Sequence, residues 1–452
     1  RGVIIFYCIC YCLLFICVRS EEHTSELSMT SWRYNFLLHL LLPFVYLRLL
    51  WRGRTTPAYA QNIEQRFGGH KKLPQGGIVI HAVSLGETLA SQPLVNALLT
   101  QYPNLPLIIT NTTATGAERA RALWGDKVHQ CYLPYDYSWA MRRFLEHSRP
   151  KLIIVMETEL WPNLIDQAKQ LTIPVMLANG RLSAKSATGY GKIPSLVTPM
   201  LQALTVLAAQ DQDTAQRFQD LGASENSIQV TGSLKFDLTI PDDLTLRADE
   251  LKQQWQLQTR PIWVAASTHE GEDEIVLTAF QHIQQQFNNA LLILVPRHPE
   301  RFDKVADLIV KQGLSIARRS QQQAITPEVS VFLGDSMGEL LLWFALADVA
   351  FVGGSLVNVG GHNPLEPAAL AVPIVTGQTM FNFKQITEIL LQAGALQQGH
   401  DATELAKIVC EWLANPEQKQ KDGQAGLAVV NANKGALKKH LAIVEGVLAL
   451  KK

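Results

Sequence analysis

Between residues 347 and 377 the chain reads ADVAFVGGSLVNVGGHNPLEPAALAVPIVTG: a strand, a glycine-rich turn, a capped helix and a second strand. The apolar run 349–352 stops at Gly353-Gly354, where missing Cβ atoms let a backbone turn sharply or approach a ligand. A second pair, Gly360-Gly361, precedes Asn363-Pro364-Leu365-Glu366, the order expected of N-cap, N1, N2 and N3. A helix is expected to start there, with free N–H groups aimed above the sheet. Such an end attracts anions, and ligands of open α/β sheets collect at the carboxyl ends of strands. The simpler reading is a capping box between Asn363 and Glu366. A cap alone does not need two glycine pairs and a histidine around it.

This βαβ unit belongs to a longer pattern. From residue 77 short apolar runs alternate with amphipathic stretches: strands at 78–83, 107–110, 152–156, 174–178, 205–209 and 230–232, with helices at 87–99 and 117–123 among them. Strands alternating with helices at this spacing imply a parallel sheet covered on both faces. Residues 235–261 turn polar, as an interdomain connection would. A second series follows at 262–266, 291–296, 329–333, 349–352 and 374–376. With 452 residues, 47% of them hydrophobic, the chain is long enough for two cores. The expected fold class is α/β, two doubly wound domains facing a cleft, with residues 405–450 mostly helical.

Zero formal net charge gives no general attraction to nucleic acid, and no zinc-ligand cysteine pairs or aromatic RNA-binding signature stand out. Four of the six cysteines, Cys8, Cys10, Cys12 and Cys17, lie in the first apolar run, leaving Cys131 and Cys410 elsewhere. No disulfide framework is implied, which fits a reducing compartment. Residues 19–27, RSEEHTSEL, resemble the in-frame translation of a sequencing-library adapter. Residues 1–28 are therefore set aside as a non-native extension, with the native start near Met29. The apolar run 36–51 is interrupted by His39, Pro43 and Arg48 and followed by Arg52 and Arg54. At about 16 residues it falls short of the roughly 20 that span a bilayer. It reads as a helical anchor on or partly in a membrane, its arginines reaching anionic headgroups, with a buried core helix at the start of the domain as the alternative.

Three carboxylates stand where strands end: Glu87 in HAVSLGET, and Glu157 and Glu159 in METELWPN. At the carboxyl edge of a parallel sheet a carboxylate faces the ligand crevice, and partial desolvation raises its pKa toward that of a useful base. Helix-start electrostatics is the competing role for Glu87, and a structural pairing with Arg181 for the others. In the second series Arg297, in PRHPER, offers a forked guanidinium that suits phosphate. Ser267-Thr268-His269 and Gly334-Asp335-Ser336-Met337-Gly338-Glu339 end two further strands, so several loops converge with the glycine-rich unit on one site. The cluster His269, Glu270, Glu272 and Asp273 lacks the HExxH spacing of a zinc site. No GxxxxGK[ST] loop and no GxGxxG fingerprint appears, which leaves a sugar nucleotide as the favoured ligand.

The motifs HAVSLGE, LPYD, METELWPN, ANGRLS, GSLKFD, STHEGE, PRHPERF, GDSMGELL and GGHNPLE, in this order, resemble those of the 3-deoxy-D-manno-octulosonate (Kdo) transferases, two-domain GT-B glycosyltransferases. The resemblance runs from about residue 36 into the C-terminal region. Gly180 departs from the alanine of ANARLS, and Ala82 and Leu85 from the HSVSVGE form, without touching a proposed catalytic group. The resemblance implies inverting, metal-independent transfer of Kdo from CMP-Kdo to the lipid A precursor, without a cofactor, at the cytoplasmic face of the inner membrane. By motif, Glu87 resembles the general base, and Glu157 and Lys235 the groups that stabilise the transition state. Pro296, Arg297, Met337, Gly338, Glu339, Asn363, Pro364, Leu365 and Glu366 resemble the CMP-binding segments. Ser267, Thr268, His269, Gly353 and Gly354 are further candidates beside them. The implied domains are an anchor over 29–54, an acceptor-binding domain over 55–238 and a CMP-sugar-binding domain over 239–452. Two other readings compete: a glycoside hydrolase or sugar-nucleotide epimerase using Glu87 with Glu157 or Glu159, and a membrane-tethered binding module without catalysis.

Overall fold

The computed structural model describes residues 31–55, 62–70 and 72–450; the segment 1–28 set aside above lies outside them. The described residues form two units, those up to 237 together with those from 435 onward, and residues 238–434. Each unit is built on a seven-stranded parallel sheet.

In the first unit the strands are β1 (Ile78–His81), β2 (Leu107–Asn111), β3 (His129–Tyr132), β4 (Leu152–Met156), β5 (Val175–Gly180), β6 (Val206–Ala209) and β7 (Ile228–Val230). Their order is β3-β2-β1-β4-β5-β6-β7. The second unit has β8 (Ile262–Thr268), β9 (Leu291–Pro296), β10 (Ile316–Arg318), β11 (Val331–Leu333), β12 (Val349–Val352), β13 (Ile374–Thr376) and β14 (Leu396–Gln398), in the order β10-β11-β9-β8-β12-β13-β14. Both orders reverse direction beside the first strand, between β1 and β4 and between β8 and β12. These are the switch points at which doubly wound sheets bind ligands.

Period-2 alternation explains why the strands read as continuous apolar runs, since both faces of a parallel sheet are buried. Val79, Ile108, Ile153 and Val155 enter one layer, while Ile78, Ile80, Ile109, Ile154 and Met156 enter the other. The second sheet does the same with Trp263, Ala265 and Leu292 on one side and Val264, Ala266 and Ile293 on the other. Ile78 lies opposite both Leu107 and Leu152, which sets the register at the centre of the first sheet.

Two expectations change. The second domain does not extend to residue 452: the last helix, Ala436–Ala449, buries Ile443, Val444 and Val447 against the first sheet. Asp237 holds its start by accepting the N–H groups of Gly435 (2.8 Å) and Leu437 (2.7 Å). The apolar run 36–51 is the centre of a longer helix, Ser31–Thr55, which continues through Pro43. Ser31–Arg54 is by itself long and apolar enough to cross a membrane. One side is nonetheless covered by the first unit: Leu38 packs with Tyr137 and Ala140, and the Tyr34 hydroxyl donates to Asp136 (2.9 Å).

Candidate functional site

At the first switch point the helix Leu85–Gln101 follows β1. Ser84 is its N-cap and accepts the Glu87 N–H at 3.4 Å. The Glu87 carboxylate returns the interaction, accepting the Ser84 hydroxyl and the Val83 N–H, each at 2.9 Å. Glu87 thus sits in the first turn of a helix, where the competing role weighed above would place it, and closes a capping box with Ser84. It is only 8% exposed, and burial, then the nearby charges of Glu159 and Glu157, raise its pKa well above the usual carboxylate range. Burial and like charge make a carboxylate a stronger proton acceptor than it is in water.

Glu157 ends β4 next door. Its backbone is left-handed at φ 56°, a conformation sparsely populated by residues other than glycine. Its N–H donates to Ala178 O at 2.9 Å. Its ion pair is with Lys235 Nζ, 3.5 Å away and mostly buried, rather than with Arg181, whose backbone N–H reaches the Glu157 carbonyl. Glu159 accepts from the Trp161 indole at 3.2 Å. The loop carrying both acids runs into the helix Pro162–Gln170, whose first N–H groups, those of Asn163 and Leu164, donate to Asp136 at 3.0 Å each.

Lys235 lies on the short 3-10 turn Leu234–Phe236. Leu234 N–H donates to the Asn179 side chain (3.0 Å), and Asn179 N–H donates to His440 Nε2 (2.9 Å). Because Nε2 accepts, the His440 proton sits on Nδ1 and donates to Ala436 O at 2.7 Å. The C-terminal helix therefore helps to set the lysine.

In the second unit, β8 and β12 approach so closely at their ends that a Cβ on Gly353 would lie 2.5 Å from Ser267 O. Ser267 itself has φ 58°. The Gly353-Gly354 turn is not an open ligand cradle. Glu272, fully buried, fills it by accepting the N–H groups of Gly354 (2.7 Å), Ser355 (3.0 Å) and Leu356 (2.9 Å), together with that of His269 (2.9 Å). Glu272 ties two strand-end loops together, Asp273 pairs with Arg301 and accepts the Thr268 hydroxyl at 2.7 Å, and exposed Glu270 pairs with Lys304.

The expected helix start is displaced by one residue. The helix runs Leu365–Ala369, and Asn363 Oδ1 accepts the Leu365 N–H at 3.1 Å while its amide reaches Glu366 at 3.4 Å. Leu365 is fully buried, so it supports the loop from below. Burial raises Glu366 to about 7 against the lowering effects of Asn363 and Arg297. Gly360 and Gly361 have φ 104° and 75°, and a Cβ at either would collide with Phe381 or Met380. This turn brings His362 to His269, Nε2 to Nε2 at 2.8 Å. His298, two residues past the end of β9 at Pro296, meets His269 edge-on at 5.1 Å.

Beyond β11, Met337 is exposed and Gly338 has φ 85° with open space around it. The Glu339 carboxylate is held by the Arg319 guanidinium through two bonds of 2.9 and 2.7 Å. Its acid is therefore engaged by the segment that follows β10. Ser84, Asn179, Glu272, His362 and His440 are organising residues that no spacing in the sequence isolates.

The two-unit architecture is similar to that of UDP-GlcNAc 2-epimerase from Neisseria meningitidis, with a TM-score of 0.53 and 13% identity, covering 83% of this chain and 100% of that one. At that identity the likeness speaks to the fold alone. Two such doubly wound units make the fold GT-B-like. Residues 61–238 match the family model described as 3-Deoxy-D-manno-octulosonic-acid transferase (kdotransferase). The 3-deoxy-D-manno-octulosonic acid transferase of Haemophilus influenzae is 43% identical over 423 residues, spanning 92% of this chain and 99% of that protein. Its Bordetella pertussis counterpart is 37% identical over 429 residues, spanning 91% and 98%. The chain belongs to this family, the Kdo transferases.

Proposed function

We propose that this enzyme transfers Kdo from CMP-Kdo to the lipid A precursor lipid IVA, with inversion and without a metal ion, in lipopolysaccharide biosynthesis at the cytoplasmic face of the bacterial inner membrane. The observation that carries the proposal is the buried Glu87 carboxylate, pushed up by burial and by Glu159 and Glu157 at the β1/β4 switch point. A sugar hydroxyl is a poor nucleophile until a neighbouring base takes its proton, an effect of typically about 10²–10⁴-fold. Glu87 takes that proton as the acceptor oxygen bonds to the anomeric carbon. The bond from that carbon to the phosphate oxygen breaks, and its electron pair leaves with CMP. Lys235 and Glu157 stabilise the transition state. The single phosphate of CMP meets Arg297 and the loops bearing Pro296, Met337, Gly338, Glu339, Asn363, Pro364, Leu365 and Glu366, so its developing charge is met by protein cations and dipoles. The first unit is the acceptor domain and the second the CMP-sugar domain.

The helix Ser31–Thr55 lies on the membrane with its uncovered face in the lipid, Arg52 and Arg54 meeting anionic headgroups. The decisive experiment incubates the purified protein with CMP-Kdo and tetra-acylated lipid A precursor and reads product masses. A mass increment of one or more Kdo units, retained in chelator and lost in Glu87→Gln, is expected. Sugar release without lipid, at a rate matching transfer, would overturn the proposal.

A further inference from the structure

The imidazoles of His269 and His362 meet at the second switch point, one after β8 and the other in the loop after β12. Their planes differ by 4° and their centroids stand 5.1 Å apart, while Nε2 to Nε2 is 2.8 Å. That closest contact plus the radius of each ring accounts for the centroid separation only when the rings lie end to end. The contact is therefore an in-plane N–H···N hydrogen bond of ordinary length. One ring donates from Nε2 and the other accepts there, so the donor's Nδ1 carries no proton in the neutral pair. A single further proton fits on that Nδ1 and strengthens the shared bond. A second would place protons on both Nε2 atoms and break it, so the pair takes up one proton and no more.

We infer that His269 and His362 act as one proton-accepting unit that takes up a single proton when the nucleotide phosphate binds, presenting a shared cation to it. This rests on the CMP-binding reading above. In the free protein both rings are neutral: burial first, then His298, Arg301 and Arg297, lowers His269 to about 4. Burial, His269, Arg297 and His298 lower His362 to about 3. The nearby acids offset these cations only in part. Glu272 is saturated by four backbone N–H groups, Asp273 is paired with Arg301 and Glu270 with Lys304, and Glu366, raised by burial to about 7, is only partly ionised near neutral pH. An arriving phosphate supplies the missing negative charge and favours the protonated pair. The need is greatest for the product, because the phosphate gains a second negative charge as the bond to the sugar breaks.

The test is calorimetric titration of the full chain with CMP in buffers of different ionisation enthalpy, at about pH 7.5, where a phosphate whose second pKa is about 6 is already dianionic. The expected result is net proton uptake on CMP binding, at most one proton per CMP, with CMP affinity falling by up to about tenfold per pH unit over the window in which uptake occurs. His269→Gln and His362→Gln, which keep a polar group near Nε2 but do not titrate, are expected to bind CMP without uptake, whereas His298→Gln retains it. Ring ¹⁵N chemical shifts of the unmutated protein read the same event without substitution. CMP binding with no proton uptake and no change in the ring shifts would overturn the inference and leave the CMP reading standing, as would uptake persisting in both Gln variants. Absence of CMP binding at any pH would overturn both.

Discussion

The Glu272 carboxylate accepts the Gly354 N–H at 2.7 Å, so the glycine-rich turn after β12 is closed by the protein's own acid. Two acid oxygens serve four backbone donors on two loops. Glu272→Gln replaces one of those oxygens by an NH2 group that faces N–H groups. Leaving a buried donor unsatisfied costs about 1–3 kcal/mol. The expected outcome is a stability loss of that order in denaturant titration, together with weaker CMP binding. An unchanged midpoint would show that the nest is dispensable.

Glu87→Gln is expected to lose activity and gain stability at alkaline pH. The folded-state pKa of Glu87 is raised by burial and by Glu159 and Glu157, whereas in the unfolded chain it ionises near about 4.3. The acid's contribution is thus fully present below the unfolded pKa and lost as pH rises through the folded one. Removing the charge restores it. Transfer should fall by at least about 10²-fold, and the melting temperature of the variant should exceed that of the unmodified protein at about pH 8 by more than at about pH 5. Equal differences at both values would contradict a raised pKa.

The sequence discloses the sheet centres and hides their edges for one reason. Strands 152–156, 291–296, 349–352 and 374–376 are read from apolar runs and coincide with β4, β9, β12 and β13, because both their faces are buried. The strands His129–Tyr132, Ile316–Arg318 and Leu396–Gln398 lie at sheet edges, where half-exposed HQCY, IAR and LQQ give no apolar signal. The edge strand β7, Ile228–Val230, likewise precedes its expected place at 230–232. Glu87 and Glu157 are legible because a strand end locates them. The use of Glu272 is not, since its partners are backbone groups of a loop some eighty residues away, and the pairing of His269 with His362 depends on the same closure.

His440 holds the turn that carries Lys235 through the Asn179 N–H. His440→Leu keeps bulk but removes the acceptor, leaving that N–H unsatisfied at about 1–3 kcal/mol. Lys235 should then lose its position 3.5 Å from Glu157, lowering kcat with little change in KM for the donor. Burial lowers the His440 pKa, so the unfolded state binds its proton first as pH falls below about 6.5. Acid unfolding of His440→Leu should therefore show a slope against pH shallower by about one proton.

The helix Ser31–Thr55 has two faces with different work. Trp32, Phe36, Leu40, Phe44, Leu47 and Trp51 recur every three or four residues and are exposed, Trp32 and Trp51 by 65% and 66%, while Leu38, Val45 and Leu49 are buried. The Asn163 amide donates to Asn35 at 2.8 Å, beside the bond from Tyr34 to Asp136. A helix crossing a bilayer alone would be surrounded by lipid, whereas this one is covered along one side by polar and apolar partners of its own unit. Replacing Phe36, Phe44 and Trp51 together by serine should release the protein from anionic vesicles in a flotation assay while leaving the fold intact. Leu49→Ala should instead cost about 2–5 kcal/mol of stability, the usual range for a buried leucine, and leave vesicle binding in place. Retention of the triple serine variant on vesicles after alkaline carbonate extraction would establish a spanning helix instead.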